Sequence, residues 1–181
     1  MKTLPGLEKL FATAEPPELG PGPRAGVLSE AELSRALDAS FAASKLSPRA
    51  QNLIRALALL WHDHLEAAHV IAQNVETVDG SFAHGIMHRR EPDYGNAKYW
   101  FRRVGKHASF PEIARRVGGL LDSNDPAELK MKLIPSGKWD AFAFVDFCER
   151  AAQRPVADSQ HKLAREIQRI EPEVLLEYLT A

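Results

Sequence analysis

Five of the seven histidines in this 181-residue chain fall between positions 62 and 88. His84 and His88 are four residues apart, so on a helix both rings project from one face. Glu66 and His69 are three apart, which puts a carboxylate and an imidazole on adjacent turns. That Glu-x-x-His step is the unit of carboxylate-bridged di-iron bundles, but such bundles need two of them. The chain has no second one; His88-Arg-Arg-Glu91 runs in the reverse order. The chemistry left open is a single divalent ion, zinc or iron. His84 and His88 would supply two ligands, and Glu66, His69 or His62 a third. Without a metal, His62 beside Asp63 or Glu66 has the makings of an acid–base pair. The plainest expectation is different: no cofactor at all, with each imidazole packed at a helix–helix contact and holding one hydrogen bond.

The stretch HGIMHRREPDYGNAKYWFRRVGKH, residues 84–107, adds cations and aromatics to these histidines. Guanidinium forks match carboxylates and phosphates. A groove with Arg89, Arg102, Arg103 and Lys106, walled by Tyr94, Tyr99 and Trp100, would suit a small anionic ligand, with His62, His84 and His88 close by. The alternative is that these cations only offset helix dipoles and that Trp100 and Phe101 belong to the core. Residues 84–118 hold eight Lys/Arg against three Asp/Glu. Either neighbouring acids neutralise that surplus or it makes a local anion-attracting pocket.

Other chemistries lack their residues. There is no phosphate loop of the Gly-x-x-x-x-Gly-Lys type and no Gly-x-Gly-x-x-Gly, and no Gly-x-Ser-x-Gly elbow. The net charge of −1 argues against a nucleic-acid partner. No apolar run reaches the length of a membrane span, and no leader-like segment opens the chain, so a cytoplasmic location and no membrane partner are expected. The one cysteine, Cys148, excludes an internal disulfide and reads as a buried small hydrophobe.

The elements that must position these residues read as helices throughout. Ser29-Glu-Ala-Glu32 has the form of a capping box, and Ser47-Pro48 pairs a cap with proline at the first helical position. Asp63 to Glu66, Ser109 to Glu112 and Asp125 to Glu128 repeat that logic. Gly105 suits a left-handed helix stop. The spacing predicts helices near 4–12, 30–45, 48–61, 63–75, 81–90, 94–104, 110–122, 126–133, 138–152, 156–170 and 172–180. FAFVDF, 142–147, is the one strand-like alternation, and its flanks favour helix. The expected fold is all-α, a compact stack of antiparallel helix hairpins in a single domain, 1–181. The Pro/Gly-rich stretch 15–26 is a loop or arm over its surface.

Segments 62–75 and 92–105 match at an offset of 30 residues, Asp63 with Asp93 and Ala67 with Ala97. GIMHRREPDYGNAKYWFRRV resembles a tetratricopeptide-type helix hairpin. Gly85 stands at the small position of the first helix, Asp93-Tyr94 at the turn, Ala97 at the close contact, and Trp100 and Phe101 follow. The resemblance covers roughly residues 50–105. WHDHLEAAH and the 84–105 segment also resemble stretches of bacterial proteins to which no function is assigned. The tetratricopeptide resemblance implies a scaffold that binds a protein or peptide along 84–107, and this is the first functional expectation. The second is a small-molecule binder or enzyme, with its His/Arg site between helices 63–75, 81–90 and 94–104.

Overall fold

Helices begin where short polar side chains can take up free amides. In the computed structural model, which describes residues 6–123 and 127–181, Ser29 caps α2 (Glu30–Phe41) and Glu32 reaches back to its amide, closing the box. Ser47 accepts from the Ala50 amide at the head of α3 (Pro48–Trp61). Asp93 does the same for α6 (Tyr94–Val104), which stops at Gly105 with φ 59°. The remaining helices are α1 (Leu7–Leu10), α4 (Leu65–Ala72), α5 (Val78–Arg90), α7 (Phe110–Asp122), α8 (Ala127–Leu133), α9 (Ala141–Ala152) and α10 (Ser159–Thr180). The described residues contain no strand, and the fold is all-α. None of their helices is long and apolar enough to cross a membrane.

Several boundaries differ from expectation, each for a physical reason. The helix expected at 4–12 is a four-residue turn. Asp63 does not cap α4. It stands at φ 67°, and its carboxylate is taken by arginines from elsewhere in the chain. Helix α5 starts three residues earlier than spacing predicted, because the Thr77 hydroxyl caps the Gly80 amide. Ser109 precedes α7 without a capping bond, its hydroxyl being engaged by His107. Helix α10 runs through Pro172 instead of breaking there. The backbone bond it forgoes is outweighed by burial of Ile170, Val174, Leu175 and Leu176 around the proline. FAFVDF lies within α9. The cap expected at Asp125 lies outside the described residues.

Helix α5 is the centre of the molecule. It packs against α3, α4 and α6, and every residue from Gly80 to Arg90 is buried. Gly85 is where α6 comes closest: a Cβ there would meet the Phe101 ring at 3.0 Å. Ala97, on the facing side of α6, is wholly buried. At the position matched to it by the 30-residue offset, Ala67 is only half-buried and the interior place is taken by Ala68.

The Pro/Gly-rich arm folds back on its own chain. Arg24 donates to the Asp63 carboxylate through its backbone and its side chain, and also to the Trp61 carbonyl. Arg165 and Gln168 of α10 donate to the carbonyls of Pro16, Pro17 and Glu18. Leu19 of the arm is itself buried. These bonds satisfy backbone groups that a segment without regular structure would otherwise leave open.

Candidate metal centre

A helix buried on all sides is expected to be apolar, yet α5 carries His84, His88, Arg89 and Arg90. Burying a polar group costs free energy unless a partner replaces water. The four side chains meet that requirement unequally.

Arg90 is fully engaged. It donates to the Asp63 carboxylate at 2.6 Å, to the carbonyls of Glu18 and Gly20, and to that of Leu60. Arg89 pairs with Glu171 at 2.5 Å, neither side chain being exposed, and stacks over the Phe144 ring at 4.5 Å. Burial pushes the Glu171 carboxyl above its usual range, and Arg89 pulls it back. Nε and Nη1 of Arg89 find no partner, but the charge itself is matched. His88 has Nδ1 3.0 Å from the Glu91 carboxylate, and the Asn96 amide lies within 3.3 Å of its ring nitrogens. Burial holds its pKa below the ordinary imidazole value, against the pull of Glu91.

His84 is the exception. It is 2% exposed, and no protein group reaches either ring nitrogen. Burial, with His88 and His69 nearby, takes its pKa from 6.5 down to about 3. The ring is therefore neutral at pH 7 and carries one free lone pair, the form in which imidazole binds a metal.

Three rings meet there. His84 and His88 stack at 4.8 Å between centroids, one turn apart on α5. His69 comes across from α4, edge-on at 4.8 Å to His84 and 5.2 Å to His88. One nitrogen from each lies within 4.8 Å of the other two. A tetrahedral centre with bonds of about 2.1 Å needs donors about 3.4 Å apart. The cluster, at up to 4.8 Å, is wider than that, so holding an ion would draw the rings together. A second set overlaps the first: Glu66, His69 and Glu91 also lie within 4.8 Å of one another. Exposure grades outward, from buried His84 and His88 through half-buried His69 and Glu91 to exposed Glu66. Imidazoles thus form the floor of the cluster and carboxylates its rim.

Helix α6 closes one side. Asn96 touches His88, and Trp100, one turn on, stacks on His84 with centroids 3.8 Å apart. The indole fixes the plane of a ring that no hydrogen bond orients.

Of the residues the sequence singled out, Glu66, His69, His84, His88 and Trp100 converge here. His62 does not. Its Nδ1 accepts from the Leu28 amide and its Nε2 donates to the Leu10 carbonyl, so it is a strut for the arm. Arg89 is also withdrawn from ligand binding, because Glu171 holds it inside the core. Tyr94 is half-buried, packed against the core. Arg102 is exposed and leans over Phe142 of α9, while exposed Arg103 leans over Trp100. Cys148 is buried, its thiol pushed up to about 12 by desolvation, so it is no nucleophile.

Glu91 and Asn96 were not foreseen as parts of the site. Glu91 carried a signal in its three-residue spacing from His88; Asn96 carried one in preceding Trp100 by a turn. His107 was missed as well. Its Nε2 faces the Asp79 carboxylate at 2.8 Å and its Nδ1 the Ser109 hydroxyl at 2.6 Å. The order Ser–His–Asp is that of a hydrolase triad, but Ser109 is 4% exposed, and the imidazole is ringed by Phe82, Phe110 and Tyr178. This group ties the start of α5 to the start of α7.

Comparison of the chain with family models, with curated proteins and with solved structures returns no match.

Proposed function

We propose that this chain is a metal-binding protein holding one divalent transition ion, zinc or iron(II), on His69, His84 and His88. The observation that carries this reading is His84: a buried neutral imidazole without a partner, facing two further imidazoles. Nitrogen donors of this kind suit zinc, iron, copper and nickel over calcium or magnesium. Three protein ligands leave at least one coordination position for water or substrate, the pattern of catalytic sites, whereas structural sites are closed by four. Glu91 would orient His88 from behind, as carboxylates commonly do for metal-bound histidine. Glu66, grouped with His69 in the second set, would bind the ion or take a proton from water bound to it. The reaction class would be metal-assisted activation of water or of a small electrophile.

The scaffold reading has its own support in the Gly85–Phe101 contact and buried Ala97, which agree with a tetratricopeptide-like hairpin. It is weakened by the burial of His84 and Arg89, two of the side chains that would have lined its peptide groove.

The test is equilibrium dialysis against Zn²⁺ and, anaerobically, Fe²⁺. One equivalent per chain is expected. His84→Leu and His69→Ala should each weaken binding by roughly 100-fold or more, with helicity unchanged, since even outer partners of metal ligands are worth about 10- to 100-fold. Failure of the chain to bind either ion, or undiminished binding by His84→Leu, overturns the proposal.

A further inference from the structure

Five of the eight cations of residues 84–118 are held in ion pairs. Arg89, Arg90 and Lys98 meet Glu171, Asp63 and Asp146. Arg115 and Arg116 share Glu112, and Arg116 also reaches Glu177. Three cations are left for which no carboxylate partner is found among the described residues: Arg102, Arg103 and Lys106. Arg102 leans towards α9, over Phe142. Arg103 lies over Trp100, the residue stacked on His84. Its guanidinium carbon is 5.3 Å from the Trp100 ring centroid and 6.0 Å from that of Tyr99. Asn96, Trp100 and Arg103 follow one stripe of α6, at steps of four and three residues, and the first two of them touch His88 and His84. Arg103 is exposed, and its contacts with the two rings hold its fork in place without neutralising its charge.

We infer that the ligand of the metal centre is a small organic dianion, one end of which reaches the ion while the other is held by the Arg103 guanidinium. This rests on the metal reading above. Imidazole ligands add no charge, so a bound divalent ion keeps a net positive charge even with the rim carboxylate of Glu66 on it, and attracts an anionic oxygen donor. The guanidinium, one residue contact beyond His84 through Trp100, supplies a second anchor of matching sign. A carboxylate or phosphate at that end would take two parallel N–H bonds. A monoanion of the same length could satisfy only one anchor.

The experiment uses the full chain loaded with one equivalent of Zn²⁺ and titrated calorimetrically. The probes are succinate and glutarate, each against its monocarboxylate counterpart, butyrate or pentanoate. At least one dicarboxylate is expected to bind tenfold or more tightly than its counterpart. Arg103→Met should reduce that preference to less than twofold and leave zinc affinity as it was; Arg102→Met should change neither. If zinc binds but dicarboxylates show no preference, or the preference survives Arg103→Met, this inference is overturned and the metal site stands. If the wild-type chain takes up no zinc, both fall together.

Discussion

Two polar clusters adjoin the central helix, and they handle their histidines in opposite ways. At the arm, His62, Asp63, Arg24 and Arg90 form a closed set: both nitrogens of His62 are bonded, and the Asp63 carboxylate is shared by two arginines. Between α4, α5 and α6, His84 has no bond, and His69 and His88 meet it ring to ring. His62 in the first and His84 and His88 in the second are buried, so both clusters carry a desolvation cost. The first offsets it with internal partners and holds the arm in place. The second pairs His88 with Glu91 and Asn96 but leaves His84 with none. Burial of a polar group alone does not separate the two clusters; the unpartnered ring of His84 does.

The contrast can be broken hardest at Asp63. Asp63→Ala strands two buried guanidiniums and is expected to cost about 3–5 kcal/mol of unfolding free energy. Urea denaturation measures it, and cleavage of the arm by protease should rise in parallel. Next comes a matched pair. His62→Leu leaves the Leu28 amide and the Leu10 carbonyl unpaired and should cost about 2 kcal/mol. His84→Leu removes an unsatisfied imidazole at similar volume and should be neutral, or stabilising by about 1 kcal/mol, in metal-free protein. Equal losses from the two would erase the distinction.

The finest test is pH. The His84 pKa is about 3 in the fold against 6.5 when unperturbed. Below 6.5 the unfolded chain therefore binds a proton that the folded chain refuses. Stability is fully present above that pH and declines as the pH falls. Between pH 6 and 5, metal-free wild type should lose about 1 kcal/mol more than His84→Leu, since a full proton of difference is worth about 1.4 kcal/mol per unit. Parallel curves would show that His84 protonates freely.

What the sequence revealed follows the range of each interaction. The Ser29 box and the Ser47 cap act over three residues and were legible. So were the His84–His88 spacing and the Glu66–His69 step, which depend on one helical turn each. Asp63 looked like another cap because its actual partners, Arg24 and Arg90, are 39 and 27 residues away. Arg89 looked like a ligand anchor because Glu171 lies 82 residues further on. His62 looked available because Leu10 and Leu28 flank the arm, whose path no periodicity encodes. The opposite error befell Glu91 and Asn96, which are local but polar and near a turn, where such residues usually face solvent. The all-α architecture was legible throughout, and the passage of α10 across Pro172 was not, since it depends on what surrounds the proline.

The imidazole cluster also differs from the rest of the interior in how little chain it draws on. Its histidines and carboxylates all lie between residues 66 and 91, and Trp100 is only nine positions beyond. Closing so short a span costs little chain entropy. The Arg89–Glu171 pair, by contrast, waits for α10. The donor set can therefore gather on a nascent polypeptide before α10 leaves the ribosome. Cation capture would then belong to the early steps of folding rather than to the finished globule.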